Sequence, residues 1–320
     1  MMTSFKYDQF VAFGSDSAGL ERILRGLQAL TAILSAIPSL LTLIVLAPEP
    51  ILEALGPVRG HLNLTRRFIR FFWFLNSFGT SYNLYSSISH PSPSSTPGKK
   101  SSGVVGVETW LEILKFTLLG LYGGLESVTL PDLLNVPQIE FFGAERTKAL
   151  NVEAQRFWFL ALFCGIVGNL VRMLKAFAYA PVPQHGAGYG TGEGPEKKKD
   201  GEGEKSSEET DASEKNGAGE AGEEKEKPDW EAERARLRAI VVKRREERKR
   251  WRGQVAVTVK TLGRKVISDS LDCLIPGVIL GWIDISPGAV GVAMFITTLM
   301  TSKDIWERCG AVVAARRGGM

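Results

Sequence analysis

The sequence predicts an all-α protein of membrane-associated helices, with amphipathic helices in its N-terminal region, a helical hairpin near its C-terminus and a disordered acidic linker before that hairpin. Three observations predict it. Apolar residues are segregated rather than spread, gathering around 27–47, 110–125, 157–171 and 271–302. In and beside those stretches they recur every three or four residues, the period of a helix. Between them lie tracts with almost no large apolar side chain, above all residues 181–229.

In DSAGLERILRGLQALTAILSAI, Leu20, Ile23, Leu24, Leu27, Leu30 and Leu34 form one stripe with Glu21, Arg22, Arg25 and Gln28 between them. That is an amphipathic helix, and Asp16 or Ser17 is placed to cap its start. Pro38 and the Pro48/Pro50 pair limit how far one helix can run. Residues 59–87 predict a second amphipathic helix: Leu64, Phe68, Phe71, Phe72, Leu75, Phe78 and Tyr82 share a face, Arg59, Arg66, Arg67 and Arg70 gather toward the other, and no acidic residue intervenes. The pattern suits the surface of an anionic phospholipid membrane, with Phe68, Phe71, Phe72 and Leu75 inserted among acyl chains and Arg66, Arg67 and Arg70 at lipid phosphates. Packing against neighbouring helices is the competing use of the same pattern.

Two tracts divide the chain. Residues 89–104 are rich in Pro and Ser, and 181–229 set seven Lys/Arg against fourteen Asp/Glu, so that of a net charge of +4 the remainder of the chain carries +11. Such composition cannot bury enough apolar surface to offset the entropy of ordering. The expected division is an N-terminal amphipathic region at 1–88, a helical membrane-associated segment at 105–180, a basic helix with the C-terminal membrane hairpin at 230–302, and a basic tail at 303–320. The core of 157–171 is short with basic residues on both sides, and is read equally as a tilted or interfacial helix and as a membrane pass. The Arg/Lys run after the linker, WEAERARLRAIVVKRREERKRWRG, is either a solvated, salt-bridged helix or a lipid-facing one. No aromatic platform, zinc spacing or reading-helix motif accompanies it, so nucleic acid is not expected as a partner.

The apolar stretch 269–300 is interrupted by Asp284-Ile-Ser-Pro-Gly288. Ser286 is a natural N-cap and Pro287 suits the first position of a helix. Each arm holds roughly 13–15 apolar residues, about 20 Å at about 1.5 Å per residue, against a hydrocarbon core of about 30 Å. The expectation is a hairpin dipping into the bilayer, with Gly277, Gly281, Gly288 and Gly291 allowing close helix contact. The rival reading is a single kinked span. Basic flanks at Lys260, Arg264 and Lys265 and at Lys303, Arg308, Arg316 and Arg317 put both ends of the hairpin on one side.

KTLGRKVISDSLDCLIPGVILGWIDISPGAVGVAMFITTLMTSKDIW is similar to the C-terminal signature of the peroxin-11 family of peroxisomal membrane proteins. Its positions fall on Asp272, Ile275, Pro276, Leu280, Gly281, Trp282, Ile283, Ile285, Ser286, Pro287, Gly288, Val290 and Gly291. GLERILRGLQAL resembles the family's opening amphipathic helix, and RGHLNLTRRFIRFFWFL takes the place of its basic helix. The acidic linker and the Arg/Lys run after it depart from the pattern and look like features of a divergent fungal branch. The resemblance implies a peroxisomal membrane protein that promotes curvature, elongation and fission in peroxisome proliferation, with a channel or metabolite carrier as the alternative. It further implies an anionic phospholipid membrane, a second copy of the chain, the fission machinery and a peroxisomal membrane-protein import receptor as partners.

Nothing in the sequence points to catalysis. His61, His90 and His185 are scattered, no His/Cys/acidic cluster has metal spacing, and GAGYGTGEG at 186–194 lacks the flanking strand and helix of a dinucleotide loop. No enzyme, cofactor or metal is expected. Cys164, Cys273 and Cys309 are an odd count and imply no disulfide framework. Neither a secretory signal at the N-terminus nor a matrix or retention address in RRGGM is expected.

Overall fold

The computed structural model describes residues 2–44, 49–89, 106–134, 136, 138–178 and 230–318, and the described residues are predominantly helical, without strands. The helices are α1 (Met2–Ser15), α2 (Ser17–Ala36), α3 (Pro38–Ile44), α4 (Glu49–Ile69), α5 (Trp73–Ser89), α6 (Val107–Val128), α7 (Ala144–Ala178), α8 (Trp230–Ile279) and α9 (Pro287–Gly318), with a short 3-10 turn at Asp132–Leu134. The two expected linkers lie outside the described residues, save for Ser89, which closes α5. Residues 1–178 and 256–320 form one compact unit and 179–255 another; of the second, the described part is the largely exposed N-terminal stretch of α8.

Local chemistry sets the boundaries. Asp16 caps α2, its carboxylate accepting from the Ala18 and Gly19 amides at 2.8 and 3.2 Å. Pro38 opens α3 immediately after α2 ends. Pro287 opens α9, where the Ser286 hydroxyl accepts from the Ala289 amide at 3.3 Å. Gly281 lies at φ +70°, a left-handed position that favours glycine, and there α8 turns off into residues 282–286.

In the first unit, α2 is packed by α4 on one flank and α9 on the other, while α5, α6 and α7 lie side by side in that order. The aromatic stretch expected as one helix is two. A turn at Arg70–Phe72 separates α4, which lies on α2, from α5, which lies on α6, and a straight helix could not follow both partners. The Phe71 carbonyl released by the break accepts from the Ser127 hydroxyl of α6 at 2.8 Å.

The C-terminal pair is a hairpin with splayed arms. Arg264 of α8 and Asp304 of α9 are ion-paired, at similar distances from the turn. Yet α9 packs along α2 and α1. Gly291 and Gly288 serve that contact: a Cβ at Gly291 would stand 3.2 Å from the Ala32 Cβ, and one at Gly288 would stand 2.8 Å from that of Ala36. Close helix contact through these glycines is therefore made with α2, correcting the expectation that the hairpin arms share it. The arms are also longer than their apolar segments, and the stretch expected as a separate basic tail from 303 onward continues α9.

Before α7, Asp132 organises the loop. Its carboxylate accepts from the Phe141 and Phe142 amides at 2.6 and 3.3 Å and from the Thr147 hydroxyl at 2.9 Å. Burial opposes its ionisation, but these three donors outweigh burial and hold the carboxyl below the usual range. A lowered folded pKa contributes stability that is present above the unfolded carboxylate's pKa and is lost as pH falls through the folded one. Asp132→Asn is expected to flatten the acid limb of a plot of melting temperature against pH in detergent.

A second expectation concerns packing. Gly291→Leu and Gly288→Val should destabilise the protein by about 1–3 kcal/mol through overpacking against α2. Gly263→Ala, where a Cβ meets nothing within 4 Å, should leave thermal unfolding unchanged or slightly later.

Candidate membrane-facing surface

The distribution of side chains over α2 decides which way it faces. Glu21, Arg25 and Gln28 follow one another at four and three residues and form a polar stripe. That stripe points inward: Glu21 is 2 % exposed and Arg25 5 %, whereas Leu27 is 46 % and Leu30 41 % exposed. The same inversion recurs around the first unit. Beside apolar residues such as Ala29, Leu130 and Ala161, the buried positions hold Ser81, Glu126, Ser127, Thr129, Gln155, Asp272 and Thr297. Outside stand Leu114 and Leu121 of α6, Phe163 and Leu174 of α7, and Ile296 and Leu299 of α9.

A charge in such an interior requires a partner, and each of these has one. Glu21 accepts from Arg66 Nε at 3.0 Å and Nη2 at 2.6 Å, joining α2 to α4, and Arg66 Nη1 donates to the Gln28 side chain. Arg25 pairs with Asp272 and donates to the Thr297 hydroxyl at 3.1 Å, joining α2 to both arms of the hairpin. Glu126 of α6 takes Arg67 at 3.6 Å and Arg70 at 3.2 Å. Arg67 also donates to Asn151 of α7 at 2.8 Å, and Arg70 to the Tyr122 hydroxyl at 3.4 Å. Tyr122 in turn stacks on Trp158, ring centroids 5.4 Å apart.

These contacts correct one sequence expectation. Arg66, Arg67 and Arg70, expected to reach outward to lipid phosphates, are turned inward and pair with Glu21 and Glu126 on neighbouring helices. The apolar residues expected beside them do face outward: Phe68, Phe72 and Leu75 are exposed, and Phe71 is half-buried with its ring edge-on to Phe72 at 4.9 Å. Of the hairpin signature, Asp272 holds Arg25, Pro276 is fully buried, and Gly281 makes the turn. Trp282 meets Phe159 of α7 edge-on at 5.0 Å, Ser286 and Pro287 start α9, and Gly288 and Gly291 admit α2. Sequence reasoning missed the inward roles of Glu21, Arg25 and Glu126. The signal for them was the presence of both signs of charge on helices rich in apolar residues, Glu21 and Arg25 on α2, Glu126 on α6 and three arginines around the end of α4, in numbers that can pair.

The helix α7, with 35 residues, is long and apolar enough to cross a membrane, the one such helix among the described residues. Cys164, Cys273 and Cys309 are free and buried, and no cluster among the described residues is placed to hold a metal ion.

Paired charges and hydroxyls among the buried residues, with many leucine and phenylalanine side chains exposed, make this outward surface a candidate for contact with lipid. The chain belongs to the peroxisomal biogenesis factor 11 (PEX11) family, whose model matches residues 7–306. That family comprises peroxisomal biogenesis factors and is not a known enzyme family. No curated protein and no solved structure matches the chain significantly.

The Glu21–Arg66 pair gives a direct expectation. Glu21→Gln or Arg66→Met alone should destabilise the protein by about 3–5 kcal/mol, because each strands a buried charge. The double variant should recover much of that loss. Melting of all four proteins in detergent gives the coupling, and additive losses would mean that the two side chains act separately.

Proposed function

We propose that this protein is embedded in the peroxisomal membrane and drives its elongation and fission by expanding one leaflet more than the other. The observation that carries the reading is the outward face at the α4–α5 turn, where Phe68, Phe72 and Leu75 stand exposed while their neighbouring arginines are turned in and paired. Each such side chain gains roughly 1.5–3 kcal/mol when fully buried in hydrocarbon. A short turn between two helices offers a shallow wedge, and α7 supplies a deeper anchor long enough to span. Asymmetric insertion of this kind favours a curved bilayer. Self-association would concentrate the wedges, and fission machinery would act on the narrowed membrane. A membrane-protein import receptor would read the apolar helices before insertion.

The alternative is a channel or carrier. It draws support from the charge inside the bundle, but those groups are largely engaged with one another, as cross-helix fasteners would be.

Reconstitution of the full chain into anionic liposomes separates the readings. Tubules without solute leak are the expected outcome, and leak without change of shape would support the channel. Phe72→Asp combined with Leu75→Asp should leave the protein folded and associated with the vesicles through its remaining apolar helices, yet unable to tubulate them. Tubulation equal to that of the parent would make this turn a packing element.

A further inference from the structure

Along their shared seam α2 and α9 run antiparallel, with Ala36 beside Gly288, Ala32 beside Gly291 and Gly26 beside Thr298. They pack closely at the Gly288 end and part toward α1, where an apolar groove of about 450 Å³ remains. That size lies within the range of about 300–1,000 Å³ common to ligand sites. Leu27 and Leu30 of α2 with Phe295 and Leu299 of α9 line one end, and Phe13 of α1 and Trp306 of α9 stand at the other. Gly26 keeps the groove open, since a Cβ there would meet only the Thr298 methyl carbon, at 3.7 Å. Empty apolar space forfeits dispersion contacts along its lining, so the groove favours an apolar occupant.

The two ends differ in charge. Arg22, Ser302 and Lys303 line the groove at the end nearer Trp306, and no carboxylate lines it. Lys303 is exposed and stands 3.7 Å from Glu307, so it is a rim group. Arg22 is more deeply set. Its Nε lies 3.5 Å from Glu21 Oε2, but the two atoms make no hydrogen bond, and each is buried without any other partner. The other oxygen of Glu21 already accepts twice from Arg66. One carboxylate thus serves two guanidinium groups, and a positive charge is left over beside the groove.

We infer that the α2–α9 groove holds one acyl chain of an anionic phospholipid, with the headgroup phosphate at Arg22 and with Ser302 and Lys303 at its rim. Charge complementarity selects this occupant. The surplus cation sits where Trp306 and Lys303 gather, a combination suited to headgroup depth, and the leucine-lined end lies where the hydrocarbon would run. An apolar helix laid in the groove would cover the leucines yet leave the charge of Arg22 unanswered. The inference rests on the membrane placement proposed above but not on remodelling, because the groove is separate from the α4–α5 turn.

The test uses the full chain purified in mild detergent and mixed with equal amounts of phosphatidylglycerol and phosphatidylcholine. Retained lipid is read by native mass spectrometry, where vesicle shape plays no part. Gly26→Leu, which fills the groove, and Arg22→Met, which removes the charge, are compared with the parent after each is checked for parental melting. The parent is expected to keep one phosphatidylglycerol per chain in preference to phosphatidylcholine. Gly26→Leu should lose both lipids, and Arg22→Met should lose about tenfold in preference, the worth of one charge-assisted hydrogen bond. No retained lipid, a lipid-free dimer, equal retention of the two lipids by the parent, or parental retention by Gly26→Leu overturns the proposal. Retention as expected by a protein that fails to tubulate liposomes would keep this site and remove only the remodelling. Should Gly26→Leu melt early, Ser302→Leu fills the groove in its place, and Lys303→Met likewise stands in for Arg22→Met.

Discussion

A charged side chain removed from water must meet its counter-charge, and the arrangement of this bundle follows from that requirement. Seven ionised groups, Glu21, Arg25, Arg66, Arg67, Arg70, Glu126 and Asp272, bring α2, α4, α6 and α8 together, and all lie within the bundle. In a hydrocarbon environment there is little hydrophobic drive between helices, because lipid tails are as apolar as leucine. Directional contacts and close backbone approach must then hold helices in place. Arg25 illustrates the economy of this. One guanidinium fixes α2 against both arms of the C-terminal hairpin, through Asp272 on α8 and Thr297 on α9.

The same requirement explains the course of the chain between α4 and α6. Arg66 must reach Glu21 on α2, while Arg67 and Arg70 must reach Glu126 on α6. The backbone breaks just after these arginines and α5 sets off along α6, with Ser127 accommodating the freed carbonyl. What remains outside the turn is aromatic. The apolar outward face and the polar seam within are two results of one constraint.

Much of the fold was legible in the sequence, and for local reasons. Asp16, the prolines after α2, and the Ser286-Pro287 start of α9 act within a turn of the backbone, so the residues announce them. The all-helical class and the hairpin followed from period and punctuation. The direction of each amphipathic face did not, because a stripe of leucines opposite a stripe of charge has the same period whichever side is buried. Arg66 could be assigned to Glu21 only once α2 and α4 were side by side, 45 positions apart along the chain. The glycines suffer from the same ambiguity. Gly288 and Gly291 indicate a close neighbour without saying which helix it is, and that neighbour is α2.

The two ends of the described chain are fastened to each other. Gln9 of α1 donates to the Trp306 carbonyl at 2.8 Å, Phe13 meets the Trp306 ring edge-on at 5.6 Å, Arg308 pairs with Asp16 at 2.8 Å, and Arg317 pairs with Asp8. The first unit is therefore a closed circuit rather than an open string of helices. In the sequence, the Pro/Ser-rich stretch and the long acidic stretch fall between helices of a frame whose first and last helices are clasped. Such a frame tolerates changes of length in those stretches, because loop closure grows only slowly more costly with added residues. A family member can thus lengthen or recompose them without redrawing the bundle.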